Sequence, residues 1–200
     1  MKKALALLLA LALLMSLAAC GGGDSTEPDQ DDTGEAGDTG EVSEVPFVPM
    51  TFGYITISLP DVFGSPTEQD GMYVSPGPNA AIVATPVLEL DMQPSEWTES
   101  LLEESLEAIH GSQYENPELA AFQGDVNMNG NSAVYYAFYG KESDGTERLV
   151  HVVILYNADL TGQYVITLLH NVDDEILTPE VAERIINSIT LAEEAQKLAP

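Results

Sequence analysis

Basic residues and cysteine are what this chain has least of. Six Lys and Arg stand against 33 Asp and Glu in 200 residues, a formal net charge of -27. Phosphate backbones are bound through clustered Lys and Arg, so this balance excludes nucleic acid as a partner. A single cysteine excludes an intramolecular disulfide and a structural zinc site built from several cysteines. No apolar run reaches the roughly 20 residues that a membrane-spanning helix needs. Neither Gly-x-x-x-x-Gly-Lys nor Gly-x-Gly-x-x-Gly occurs, which leaves nucleotide binding without a motif. Gly-x-Ser-x-Gly and Ser-x-x-Lys are also missing, and no second cysteine exists to act as a nucleophile. What the chain does have is 44% apolar residues, enough for a real core.

The first twenty residues carry an address. Lys2 and Lys3 precede the apolar run Ala4 to Met15, and small residues follow up to Cys20. A charged start, a short apolar stretch and small residues before a cut describe a secretory signal. Leu17-Ala18-Ala19-Cys20 resembles the lipobox of bacterial lipoproteins, and the only cysteine of the chain falls at the cleavage position. The resemblance implies a signal peptide over residues 1–19 and diacylglycerol, with two acyl chains such as palmitate, on the Cys20 sulfur. Two acyl chains, at about 0.8 kcal/mol per buried methylene, anchor stably where one is marginal. The expected location is therefore the extracytoplasmic face of a cell membrane, lipid-anchored, with no cofactor implied.

Residues 20–45 read as the lipidated cysteine and a tether. Gly21 to Val45 contains no aromatic residue, no Leu, Ile, Lys or Arg, and nine acidic residues. Such a segment cannot bury enough apolar surface to offset the entropy of ordering it. As a coil it reaches roughly 25 to 30 Å, and charge repulsion extends it. All fourteen aromatic residues lie beyond Pro46, which marks the start of packing over an expected domain of residues 46–192, with 193–200 as a tail. That part of the chain, from Pro46 to the end, holds 24 acidic and 4 basic residues, a net of -20.

Alternation and turn chemistry predict its elements. Phe52 to Pro60 reads as a strand closed by proline, Met72 to Ser75 as a short one after Asp70-Gly71, and Ala80 to Val87 as a third. Pro94-Ser95-Glu96 should start a helix running to about His110, with Trp97, Leu101, Leu102, Leu106 and Ile109 on one side and Gly111 as its stop. Glu99, Glu103, Glu104 and Glu107 take the other side. Four strands follow, about Ala120 to Met128, Ala133 to Tyr139, Leu149 to Tyr156 and Gln163 to Leu169. Thr178-Pro179 then opens a last helix with the stripe Val181, Ala182, Ile185, Ile186 and Ile189. Runs of antiparallel strands with two separated helices mean an α+β fold, an antiparallel sheet of six or seven strands covered by two helices.

These segments also resemble a family. Tyr54-Ile55-Thr56-Ile57-Ser58-Leu59-Pro60 is similar to the opening strand of the PsbP-like superfamily. Asn129-Gly130-Asn131-Ser132-Ala133-Val134-Tyr135-Tyr136 resembles its strand after a tight turn, and Ile185-Ile186-Asn187-Ser188-Ile189 its closing helix. The resemblance spans about Phe52 to Leu191. It implies a PsbP-like sandwich and a non-enzymatic binding or assembly module, and it carries over no functional residue.

Several constellations invite chemistry. Asp125-Val126-Asn127-Met128-Asn129-Gly130 matches the first half of an EF-hand loop, yet position twelve, where a Glu is needed, is Tyr136. Asn-Gly between alternating runs is instead a hairpin signal, with weak Ca²⁺ at its tip as the alternative. His151 and His170 fall on neighbouring strands. If paired residue numbers sum to 321 they face each other and could share a metal, and if to 320 they point to opposite faces. His110, at a helix end, would favour the helix dipole when charged. Asp173-Asp174-Glu175 reads as a solvated loop before a helix, or as a cation or acid–base site. Tyr135 and Tyr139 should share one face of their strand, with Tyr136 and Phe138 turned the other way, so that at least half of these rings are core and an aromatic binding patch is open to the rest.

The expectation is thus a lipid-anchored extracytoplasmic binding or assembly module, not an enzyme, with an envelope protein or wall component as partner. A basic partner or weakly held divalent cations would suit its charge. Two rivals stand beside it. One is an envelope hydrolase whose carboxylates meet only in the fold, such as Asp173 or Asp174 with a Glu of the first helix. The other is a small-ligand carrier with an apolar pocket between sheet and helix.

Overall fold

A computed structural model of the chain describes residues 45–197. The lipobox residues Leu17, Ala18, Ala19 and Cys20, and the tether up to residue 44, lie outside the described residues, as do 198–200.

Phe47–Phe52 (β1) and Ile55–Pro60 (β2) form a tight antiparallel hairpin in which Phe52 faces Ile55. The single strand expected from Phe52 to Pro60 is therefore two. Gly53 makes the turn at φ 63°, a left-handed conformation that glycine adopts without a Cβ clash. Thr67–Gln69 (β3), Met72–Gly77 (β4) and Ala80–Ala84 (β5) meander next, and Leu88–Glu89 (β6) is a short strand after them. Pro94–Glu96 is a separate 3₁₀ turn, so the helix expected from Pro94 instead starts at Glu99. Trp97 is extended, and Thr98 caps the helix Glu99–His110 (α1) by accepting from the Leu101 amide at 3.2 Å.

Glu115–Met128 (β7), Asn131–Lys141 (β8), Glu147–Tyr156 (β9) and Gly162–Asn171 (β10) form the second meander. Asn129 and Gly130, at φ 50° and 90°, close the β7–β8 hairpin, since Met128 faces Asn131. Both left-handed positions of a two-residue I′ turn are thereby filled by the residues that tolerate them. Thr178 caps Pro179–Asn187 (α2) by accepting from the Val181 amide, and Thr190–Leu191 (β11) follows. Packing continues where a tail was expected: Glu193–Lys197 is a 3₁₀ turn, and Ala195 is fully buried.

The large sheet has eight strands in the order β3-β4-β5-β10-β9-β8-β7, with β6 also on β10, and the small sheet is β1-β2-β11. Every pairing is antiparallel. Among the described residues the fold is an α+β sandwich of two sheets and two α-helices. The described residues hold four strands beyond the seven read from sequence, β1, β3, β6 and β11, of which β1 and β11 join β2 in a sheet of their own.

Side-chain alternation splits the core in two. Val134, Tyr136, Phe138, Val150, Val152, Ile154 and Tyr156 face α1 and bury Leu102 and Leu106. Ala133, Val153, Leu155, Tyr164, Ile166 and Leu168 face the other way, onto Ile55, Ile57 and Leu59 of β2 and onto Ala182, Ile185 and Ile186 of α2. The edges of the large sheet are blunted. β3 is three exposed residues long, and β7 is broken by three register shifts and carries Glu115 and Glu118. Among the described residues no helix is long and apolar enough to cross a membrane.

Candidate functional site

One hydrogen-bonded chain of polar side chains lies where β8, β9 and β10 run past α2. In the β9–β10 ladder His151 faces Leu168 and His170 faces Leu149, so paired residue numbers sum to 319. This corrects both registers considered from sequence. The parity matches 321, so the two imidazoles share a face, but they sit diagonally. Their rings are near-parallel, with centroids 5.4 Å apart and planes at 12°. His151 is 7% exposed and His170 3%.

Four groups form a chain. Tyr135 Oη lies 2.9 Å from His151 Nδ1, His151 Nε2 lies 3.2 Å from His170 Nε2, and His170 Nδ1 lies 2.8 Å from the Asn171 carbonyl oxygen. Burial lowers both histidine pKa values, that of His151 to about 4 with a further push from His170, so both rings are neutral at pH 7. A neutral imidazole carries one N–H. The Asn171 carbonyl only accepts, so His170 Nδ1 holds the proton and His170 Nε2 accepts from His151 Nε2. His151 Nδ1 must then accept, and Tyr135 donates to it. One carbonyl therefore fixes the direction of every bond out to the phenol.

On the other face the neighbouring residue makes a similar pair. Tyr136 Oη lies 3.1 Å from His110 Nε2, and the His110 ring stands 4.3 Å from that of Phe138. His110 was expected to carry charge at its helix end. Burial instead lowers its pKa to about 4, because desolvation by the α1 core outweighs the dipole. Trp97 belongs to the same core, donating to Tyr156 Oη at 3.0 Å.

The remaining candidates resolve locally. Ser132 donates to Asp125 Oδ1, Asn127 Oδ1 accepts from the Gly130 amide, and Asn129 Nδ2 donates to the carbonyls of Asn187 and Ile189. The half EF-hand is thus a hairpin tip latched to the end of α2, with Tyr136 buried away from it. Asp174 Oδ1 accepts from the amides of Ile176 and Leu177, shaping the loop before α2. α1 and its glutamates belong to the opposite layer from α2, separated from it by the large sheet. Among the described residues no three His, Cys, Asp or Glu gather to hold a metal. The void between sheet and α2, lined by aliphatic side chains and His151, measures about 10 Å³, far short of the few hundred Å³ that a small ligand fills.

Tyr135 and Tyr139 share a face, as alternation predicts, and Tyr136 and Phe138 are core. Tyr135 is half-buried and Tyr139 is 47% exposed. Sequence reasoning missed the link from Tyr135 to the histidines. The signal was parity: Tyr135, His151 and His170 belong on one face once the ladders are set.

No protein-family model matches the sequence, and no curated protein matches it. Among solved structures the chain is similar to the Ran-binding protein Mog1p of Saccharomyces cerevisiae. The identity is 11% and the TM-score 0.53, over 76% of this chain and 99% of that one. It is similar also to cyanobacterial PsbP (CyanoP) of Synechocystis sp. PCC 6803, at 11% identity and TM-score 0.51, over 78% of this chain and 98% of that one. These likenesses show a PsbP-like fold.

Proposed function

We propose that the protein is a lipoprotein anchored through Cys20 at the extracytoplasmic face of a bacterial membrane, where its folded part serves as a non-catalytic binding or assembly module. The observation that carries the binding role is the fold shared with Mog1p, a Ran-binding protein. Fold alone does not choose a function. The β8 strip adds support: Tyr139 is 47% exposed and Tyr135 half-buried there, a surface that a partner can meet. The anchor rests on Leu17-Ala18-Ala19-Cys20, which places the only cysteine of the chain at a lipobox cleavage position. Two acyl chains there would hold the protein on the membrane while the acidic segment up to residue 45 lifts the domain off it.

Two measurements test this. Cys20→Ser should move the protein from the membrane fraction to the medium, and an unchanged membrane fraction sinks the anchor. Crosslinking from the surface of intact cells, read by mass spectrometry, should recover a defined protein partner. Turnover of ester or glycoside substrates by the purified chain would overturn the non-catalytic role.

A further inference from the structure

We propose that the strip of the large sheet beside α2, carrying Tyr135 and Tyr139, binds the guanidinium or ammonium groups of a basic segment on a partner protein. The proposal rests on the binding-module reading and adds to it a surface and a partner chemistry.

The first support is the direction of the buried chain. Tyr135 gives its only hydroxyl proton inward to His151, an orientation fixed by the Asn171 carbonyl three bonds away. What Oη retains for an outside group is lone pairs, so the group that meets it must be a donor. Hydrogen bonds in such a chain polarise one another, which makes that oxygen a better acceptor than a free phenol.

The second support is the layout of the strip. Cross-strand registers place Glu118, Tyr139 and Leu149 in one row, and Gln123, Tyr135 and Val153 in another. Tyr139, at 47% exposure, offers a ring to solvent beside the carboxylate of Glu118. An aromatic face next to a carboxylate attracts a cation by its quadrupole and by its neighbour's charge. Exposed Glu183 on α2 acts on Tyr135 electrostatically from the opposite bank. Lys141, two positions beyond Tyr139, faces Glu115 and Glu147 across its two ladders, so those carboxylates offset its charge.

Charge complementarity selects the occupant. From Pro46 onward the chain carries 24 acidic and 4 basic residues, so a second copy meets this strip with like charge, whereas an Arg- or Lys-rich segment is drawn to it. Carboxylates elsewhere on the surface attract cations too. What sets this strip apart is the pairing of ring faces with a phenol oxygen that can only accept.

The test titrates the full chain, isotope-labelled on tyrosine, with a hexa-arginine peptide and with its uncharged hexa-citrulline counterpart. Ring signals of Tyr135 and Tyr139 give a dissociation constant for the strip itself. Both signals should shift with hexa-arginine, and the citrulline peptide should bind at least about tenfold more weakly. Tyr139→Ala and Glu183→Gln, both at exposed positions, should each weaken binding by about five- to tenfold. Glu103→Gln, the same charge change on α1, should leave it within about twofold. Equal losses from Glu103→Gln and Glu183→Gln would reduce the effect to diffuse charge and overturn the proposal. Silent tyrosine signals, or self-association through the strip, would overturn it as well. Crosslinking on intact cells separates this failure from that of the parent reading: a partner held through another surface removes the strip and keeps the binding module.

Discussion

Tyr135 and Tyr136 are adjacent in sequence, lie on opposite faces of the same strand, and each hydrogen-bonds a histidine. On the α1 face Tyr136 and His110 are both buried, with Trp97 and Phe138 around them. On the α2 face the same chemistry is extended by a second histidine to a backbone carbonyl, and its far end is a half-buried phenol. The first pair satisfies polar groups inside a buried core. The second carries a fixed hydrogen-bond polarity from the interior to the surface. The difference lies in cover: Tyr136 and Phe138 are buried with Leu102 and Leu106 of α1, whereas on the other face Tyr139 is 47% exposed and Tyr135 half-buried.

The comparison breaks most readily on the α1 face. Tyr136→Ala empties a fully packed site and leaves His110 without its partner, and should lower unfolding free energy by about 4 kcal/mol in a denaturant titration. A loss below about 1 kcal/mol would mean that this face is not the packed core described. Acid should sharpen the contrast next. His110 has its pKa lowered from 6.5 to about 4 in the folded state, so between those values the unfolded chain binds more protons. Stability from this residue is full above pH 6.5 and lost as pH falls toward 4, on the order of 3 kcal/mol in all. The difference between the pH profiles of wild type and His110→Phe isolates it, because the carboxylates are common to both. A difference that stays constant from pH 6.5 to 4 contradicts the neutral buried ring.

Smaller effects separate the two hydroxyls. Tyr136→Phe bares a buried imidazole nitrogen and should cost about 2 kcal/mol, whereas Tyr135→Phe, at the wetter end of its chain, should cost about 1. Equal costs would erase the distinction between a sealed pair and one open to the surface. Smallest is the stacking of Arg184 over Phe47, 3.9 Å from guanidinium carbon to ring centroid. Arg184→Gln should cost about 0.5 to 1 kcal/mol by thermal melting.

How much of this was legible in sequence depended on range. The Asn129-Gly130 hairpin and the Thr178-Pro179 helix start were readable because a few adjacent residues dictate their geometry. The β1–β2 hairpin was not, since Gly53-Tyr54 is a weaker turn signal than Asn-Gly and Ile55 to Pro60 alternates well enough to absorb Phe52 into one strand. The start of α1 was misplaced because Pro94-Ser95-Glu96 carries helix-start chemistry that a 3₁₀ turn uses equally well. The site demanded more. Whether His151 meets His170 depends on a register set by the Asn157–Gly162 turn, where the Asn157 side chain accepts from the amides of Thr161 and Gly162. Leu160 takes φ 51° there, a conformation no sequence rule assigns to leucine.

The pairing of β5 with β10 has a consequence for the order of assembly. It joins Ala80–Ala84 to residues 166–170, more than eighty positions away, and it sits in the middle of the large sheet. Each meander on either side is built from short-range hairpins that can close in microseconds. The seam between them requires a long loop to close first, and such closures are slow. A growing chain therefore holds a finished first meander with an open central edge until its last long strand has been made. Folding speed in this protein should be set at that seam, and destabilising either hairpin should slow it less than weakening the contacts between Ile82 and Leu168.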